Sequence, residues 1–178
     1  MPETPPAAAA RPTAPELAAW LAEHSPALSV EPEGDFMTEY LYRVARTIGE
    51  YGYAVQPVVS DGHSAPYSYT IGLHQSHGYE LVMTGLGHEV ANGVLHRLVD
   101  RFKDSTGPAS GVSLDGVLAG GFQVRMRRVE SLENFSLHRA IFGDDSCPPY
   151  WQVVWPDAAG VFPTDLGCSI SPEGQPLL

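Results

Sequence analysis

The chain has 178 residues, 43% of them hydrophobic, enough for one globular domain with a core, and a formal net charge of −11. A phosphate-binding surface needs a basic stripe, and the ten Lys and Arg residues are scattered, so nucleic acid is not an expected partner. Cys147 and Cys168 form no CxxC pair and no apolar run reaches membrane-helix length, so neither a disulfide framework, a cysteine-built zinc site nor a membrane partner is expected.

The chain opens on "MPETPPAAAARPTAPELAAWLAEHSP", which lacks the basic-then-apolar order of a signal peptide, and the reading is a cytoplasmic protein. Residues 1–13 offer nothing to bury and read as a disordered tail. Leu17, Trp20 and Leu21 sit at i, i+3 and i+4 in a short helix, part of a helical extension over 14–50. From Met37 to Tyr51 the spacing of Tyr40, Val44, Ile48 and Tyr51 predicts a second helix, with Asp35 as its cap and Gly52 as its stop. "YAVQPVV" follows as a strand, and Pro57 marks it as an edge. "SDGHSAP" is a turn; "YSYTIGL" and "YELVMTG" are strands on either side of a second turn that holds His74 and His77. Val90, Val94, Leu98 and Phe102, widened by Leu95 and Val99, predict an amphipathic helix from Gly87 to Asp104. "GVSLDGVLAGGFQVRMRRVE" supplies one weak and one good strand. Ser131 is expected to cap a short helix carrying Phe135, His138 and Phe142. "YWQVVWPDAAGVFPTD" reads as a closing hairpin and "SPEGQPLL" as a tail laid over the surface.

With those elements placed, the chain resembles a bacterial domain of unknown function, family 4262. The resemblance rests on "YGYAVQPV", "PYSYTIGL", "YELVMTGL", "LHRLVDRF", "WQVVWPDAAGVFPTD" and "GQPLL", in that order, and covers Tyr51 to Leu178. Where members of that family carry a His-Pro-Glu-Leu run, this chain has Gly78-Tyr79-Glu80-Leu81, with His77 one place earlier. The resemblance implies a fold and a class, and no particular reaction.

The residues that carry chemistry are mostly histidines. His74, His77 and Glu80 share a spacing of three that can gather metal ligands, but no fourth group or HExxH pattern accompanies them, and no metal is assigned. An imidazole oriented by a carboxylate can transfer protons, and Asp61 beside His63 lies on another turn. Glu80 alternates with Leu81 and reads as outward and structural. His138 falls on an apolar helix face, where its ring nitrogens need partners. His96 points away from its helix's apolar stripe and reads as solvated, and His88 sits at a helix start. Cys147 has no local base except His138 and reads as a small buried residue.

The expected fold is α+β, a mixed, mainly antiparallel sheet with two or three packed helices, the single domain spanning 51–178. The expected function is to bind or modify a small organic molecule in specialised bacterial metabolism. His74, His77 and His138 are the acid/base candidates, and Tyr67, Tyr69 and Trp151 are the ligand-binding candidates in an aromatic-lined pocket. No cofactor and no oligomeric state follow from the sequence. An interaction protein (an immunity or accessory subunit) whose acidic surface meets a basic partner is the alternative. A flavin-binding split barrel, suggested by "YSYTIGL" paired with "YELVMTG", is a further one. Because the first residues lack apolar periodicity, deleting residues 1–10 should move the melting temperature by no more than about a degree in a calorimetric scan.

Overall fold

The structure, a computed structural model, describes residues 36–178 except 106, 144 and 147 and the side chain of Thr38, together with Glu23. The expectations for the Pro/Ala-rich tail, the Leu17–Trp20–Leu21 helix, the Asp35 cap and Cys147 lie outside the described residues. Helix α1 runs from Phe36 to Tyr51 and buries Val44, Ala45 and Ile48. Gly52 ends it by donating its N–H to the Ile48 carbonyl at 2.7 Å. Tyr51, expected on the buried stripe, is 63% exposed at the helix end.

Among the described residues six strands form one sheet: β1 (Ala54–Val58), β2 (Tyr67–Ile71), β3 (Glu80–Thr84), β4 (Ser113–Leu114), β5 (Val124–Arg128) and β6 (Tyr150–Val154). Their order is β1-β2-β3-β6-β5-β4, and every neighbouring pair is antiparallel except β3 with β6. Pro57 stands in the edge strand β1, where its missing N–H removes no interior ladder bond. β3 and β6 run side by side at the centre, paired Glu80 with Tyr150 through Met83 with Val153.

Between β2 and β3 the chain makes a one-turn helix, α2 (His74–His77), where the sequence suggests only a turn. Gly78 closes it in the left-handed conformation with φ 78°. Helix α3 (His88–Phe102) packs Val94, Leu95, Leu98 and Phe102 against Leu81, Met83, Val124, Met126 and Val153 on one face of the sheet. Alternation turns Val82 to the other face, where it joins Tyr69, Ile71, Tyr150 and residues of α1 and of α4 (Ser136–Phe142). The sheet is thus covered on both sides, which is why all five residues of β3 are buried. Each fully buried leucine or isoleucine contributes about 1.5–3 kcal/mol relative to exposure.

Three expectations for the C-terminal half change. Ser131 does not cap α4, which starts after Phe135; its hydroxyl accepts the Glu133 N–H one turn earlier. The segment from Tyr150 to Asp165 is not a hairpin, because β6 already has a strand on each side and no edge for a returning partner. The tail is anchored, not merely laid on the surface. Gln175 is fully buried and makes two hydrogen bonds with the Trp155 backbone, as donor to its carbonyl and acceptor from its N–H. Buried Gln152 donates to the Pro176 carbonyl and accepts the Leu178 N–H. Trp155 packs on the α3 core and donates its indole N–H to the Thr84 carbonyl at 2.9 Å. Among the described residues no helix is long and apolar enough to cross a membrane.

Asp157 ties the loop after β6 together: its carboxylate accepts the N–H groups of Ala159, Val161 and Ser169 and the Ser169 hydroxyl. Those bonds, led by the one from Ser169, hold its pKa down to about 2. A carboxyl held low in the folded state stabilises fully above its unfolded value near 3.8, and that contribution is lost as the pH falls through about 2. Asp157→Ala should therefore be less stable than wild type near neutrality and lose less stability on acidification, read as urea midpoints across that window.

Candidate functional site

The opening of β3 places a carboxylic acid inside the fold. Glu80 is fully buried, against the expectation that it points outward, because β3 has packing on both faces. A buried charge persists only with donors around it, and Glu80 has four. Its Oε1 accepts the Gly72 N–H at 2.8 Å, the His74 N–H at 3.1 Å and the His74 ring at Nδ1, 2.7 Å away. Its Oε2 accepts the Thr70 hydroxyl at 2.5 Å. Gly72 makes this geometry possible: it has φ +93°, and a Cβ there would lie 2.5 Å from Ile48 Cγ2. The β2–α2 turn is in effect folded around one carboxylate.

His74 presents 18% of its side chain to solvent and turns toward α4. Its ring centroid lies 4.9 Å from that of His138 and 4.8 Å from that of Phe142. One ligand atom each from His74, Glu80 and His138 lie within 4.8 Å of one another. His138 is 2% exposed; its Nε2 meets Ser146 Oγ at 3.1 Å, while its Nδ1 is buried without a partner among the described residues. Burial, reinforced by the neighbouring His74 ring, pushes its pKa down to about 4, so it is a neutral imidazole at physiological pH.

Beside this group lies a cavity of about 180 Å³ lined by Leu132, Phe135, His138, Arg139, Ser146 and Pro148, with Tyr150 as its floor. Phe135 and Tyr150 stack face to face at 3.7 Å. The Tyr150 hydroxyl is buried with no partner among the described residues, and burial first, then Glu80 and Tyr69, pushes its pKa well above the ordinary phenol value. Apolar walls, a few convergent polar groups and a strongly shifted histidine are the features of a small-molecule site.

The structure brings together two of the three acid/base candidates. His74 and His138 meet, whereas His77 turns to Tyr79, which packs in the α3 cluster, and holds Ser76 Oγ at 2.7 Å from its Nδ1. Of the ligand-binding candidates, Tyr69 is 1% exposed and edges onto Phe135 behind the cavity. Tyr67 stacks on Tyr69 and donates its hydroxyl to the Asn134 carbonyl. Trp151 packs with the α3 cluster, the Arg128 guanidinium 5.9 Å from its ring, so the cavity's aromatic walls are Phe135 and Tyr150 instead. Asp61 and His63 lie at the other end of β2, a strand length of roughly 15 Å from α2. Asp61 accepts the N–H groups of His63 and Ser64 in its own turn. His88 meets Ser68 Oγ at 3.2 Å, and His96, although exposed, hydrogen-bonds the Tyr53 hydroxyl.

Ser146 and the lining residues Leu132 and Arg139 are absent from the sequence reading of the site, and Glu80 enters it only in the spacing with His74 and His77 and as an outward residue. Only Glu80 carried a signal there: an acid at the head of the apolar run "ELVMT".

Comparison with known families adds one finding. The model of a domain of unknown function, DUF4262, matches residues 47–169, more than half of the chain. The chain belongs to the DUF4262 family. The matched stretch holds α2, all six strands and every residue of the His74–Glu80–His138 group. No curated protein and no solved structure matches the chain.

The site separates two kinds of buried polar residue. Glu80→Ala should cost about 2–4 kcal/mol, because it strands Gly72 N–H, His74 N–H and the Thr70 hydroxyl. His138→Phe should leave the urea midpoint equal to or above wild type, since it removes an unpaired buried nitrogen beside space that accepts a larger ring.

Proposed function

We propose that this DUF4262 domain binds a small organic molecule in the cavity between α4 and β6 and modifies it by proton transfer at the His74–Glu80–His138 end. The observation that carries the reading is the position of His138. It lines an apolar, aromatic-walled cavity and also touches an imidazole that a buried carboxylate orients. A carboxylate at Nδ1 fixes the ring and its tautomer, leaving Nε2 of His74 as the acceptor. The neutral His138 accepts or relays a proton without first having to lose one. A planar ligand would lie against Phe135 and Tyr150, with Arg139, Ser146 and the Tyr150 hydroxyl fixing its polar groups. The cytoplasm of a bacterium, and its specialised metabolism, is the setting this reading assigns.

The formal charge of −11 favours one second reading, an interaction protein that presents an acidic surface to a basic partner. Native mass spectrometry of protein purified from its own host separates the two. The expected result is a retained small-molecule mass that disappears in Leu132→Trp, whose indole fills the cavity, while the fold persists by circular dichroism. A retained protein partner and no small molecule would sink the proposal.

A further inference from the structure

We infer that His74, Glu80 and His138 form a binding site for a divalent first-row transition-metal ion. The inference rests on the reading above for the location of the site and adds the agent that transfers the proton. Two observations carry it independently. The first is geometric: three ligand atoms, two imidazole nitrogens and a carboxylate oxygen, already lie within 4.8 Å of one another. Donors bound to zinc at about 2.0–2.2 Å stand roughly 3–4 Å apart, so side-chain rotations of under about one ångström close the site. The second is an unfilled bond: His138 is 2% exposed, and its Nδ1 has no partner among the described residues. A buried nitrogen left without a bond costs free energy that a ligand restores.

The donor set identifies the ion's class. Magnesium and calcium take oxygen ligands almost alone, whereas two imidazoles and one carboxylate suit zinc, iron(II) or cobalt(II). Three protein ligands leave a coordination position open, the pattern of catalytic sites, not of structural ones. The neighbouring cavity supplies the space for a water or a ligand group at that position. An ion there would be held by one ring nitrogen each of His74 and His138 and by a Glu80 carboxylate oxygen. Gly72 N–H, His74 N–H and the Thr70 hydroxyl stay on the carboxylate, orienting it from behind. Water on such an ion has a pKa lowered to about 7. An ion held there would supply a hydroxide that could take up a proton from the bound molecule as water, with no further reactant.

The test uses the full chain, stripped with a chelator and titrated with Zn²⁺ or Co²⁺. Expected are one ion per chain by elemental analysis and visible d–d absorption from the cobalt form. Affinity should fall at least about tenfold in His74→Ala and in His138→Phe, and stay unchanged in His63→Ala, an exposed histidine on the other turn. X-ray absorption of unmutated protein at the zinc edge should show histidine nitrogens, which keeps the test valid whatever the folding of the variants. Absence of stoichiometric binding, a spectrum without histidine ligands, or equal affinity in all three variants would overturn the site. Zinc bound as described in a chain that retains no small molecule supports the ion and counts only against the reading of the cavity.

Discussion

A carboxylic acid in the interior sets the terms for the region around it. Glu80 sits on a strand buried from both sides, and a charged group there is tolerated only where donors replace the water it has left. Two of its donors are backbone N–H groups, so the path of the chain from β2 into α2 is fixed by the acid. The glycine at 72, the single turn of helix and the direction of the His74 ring are parts of one arrangement. A polar network that is fully satisfied specifies one local structure, and partial satisfaction leaves strain. On this side of the molecule Glu80 is satisfied, while its neighbours His138 and Tyr150 each keep one bond unmade.

The two faces of the sheet divide the work. Under α3 the packing is aliphatic and aromatic, with Leu81, Met83 and Val153 meeting Leu95 and Leu98. Under α1 and α4 the register of β3 with β6 sets Glu80 beside Tyr150, and α4 brings His138 over them. Close packing on the first face gives the sheet a rigid support. Groups that must hold a fixed geometry are better carried by such strands than by free loops.

Much of this was legible in the sequence. Period-four spacing located α1 and α3, Pro57 marked the edge strand, and "YSYTI" and "ELVMT" marked two strands correctly. The site was legible only in part. His74 and His138 were singled out, but 63 residues of chain lie between them, and the parallel pairing of β3 with β6 helps to bring them together. Glu80 was misjudged because strict alternation assumes a strand with one wet face. The hairpin after β6 was misjudged for a related reason. Turn residues at Pro156 and Gly160 report a change of direction, and whether a strand follows depends on a free edge that local sequence does not describe. The anchoring of Gln175 is a long-range contact of the same kind.

The placement of β6 also has a consequence for the order in which the protein is made. β1, β2 and β3 are consecutive and can pair as soon as they leave the ribosome, and so can β4 with β5. The two parts do not share one sheet until β6 emerges, since among the described strands it is the one that pairs with both. Through that interval β3 carries an apolar, unpaired edge, the kind of surface on which nascent chains associate wrongly. The acid at its head interrupts the apolar run along that edge, and the proline in β1 guards the opposite edge of the same unit.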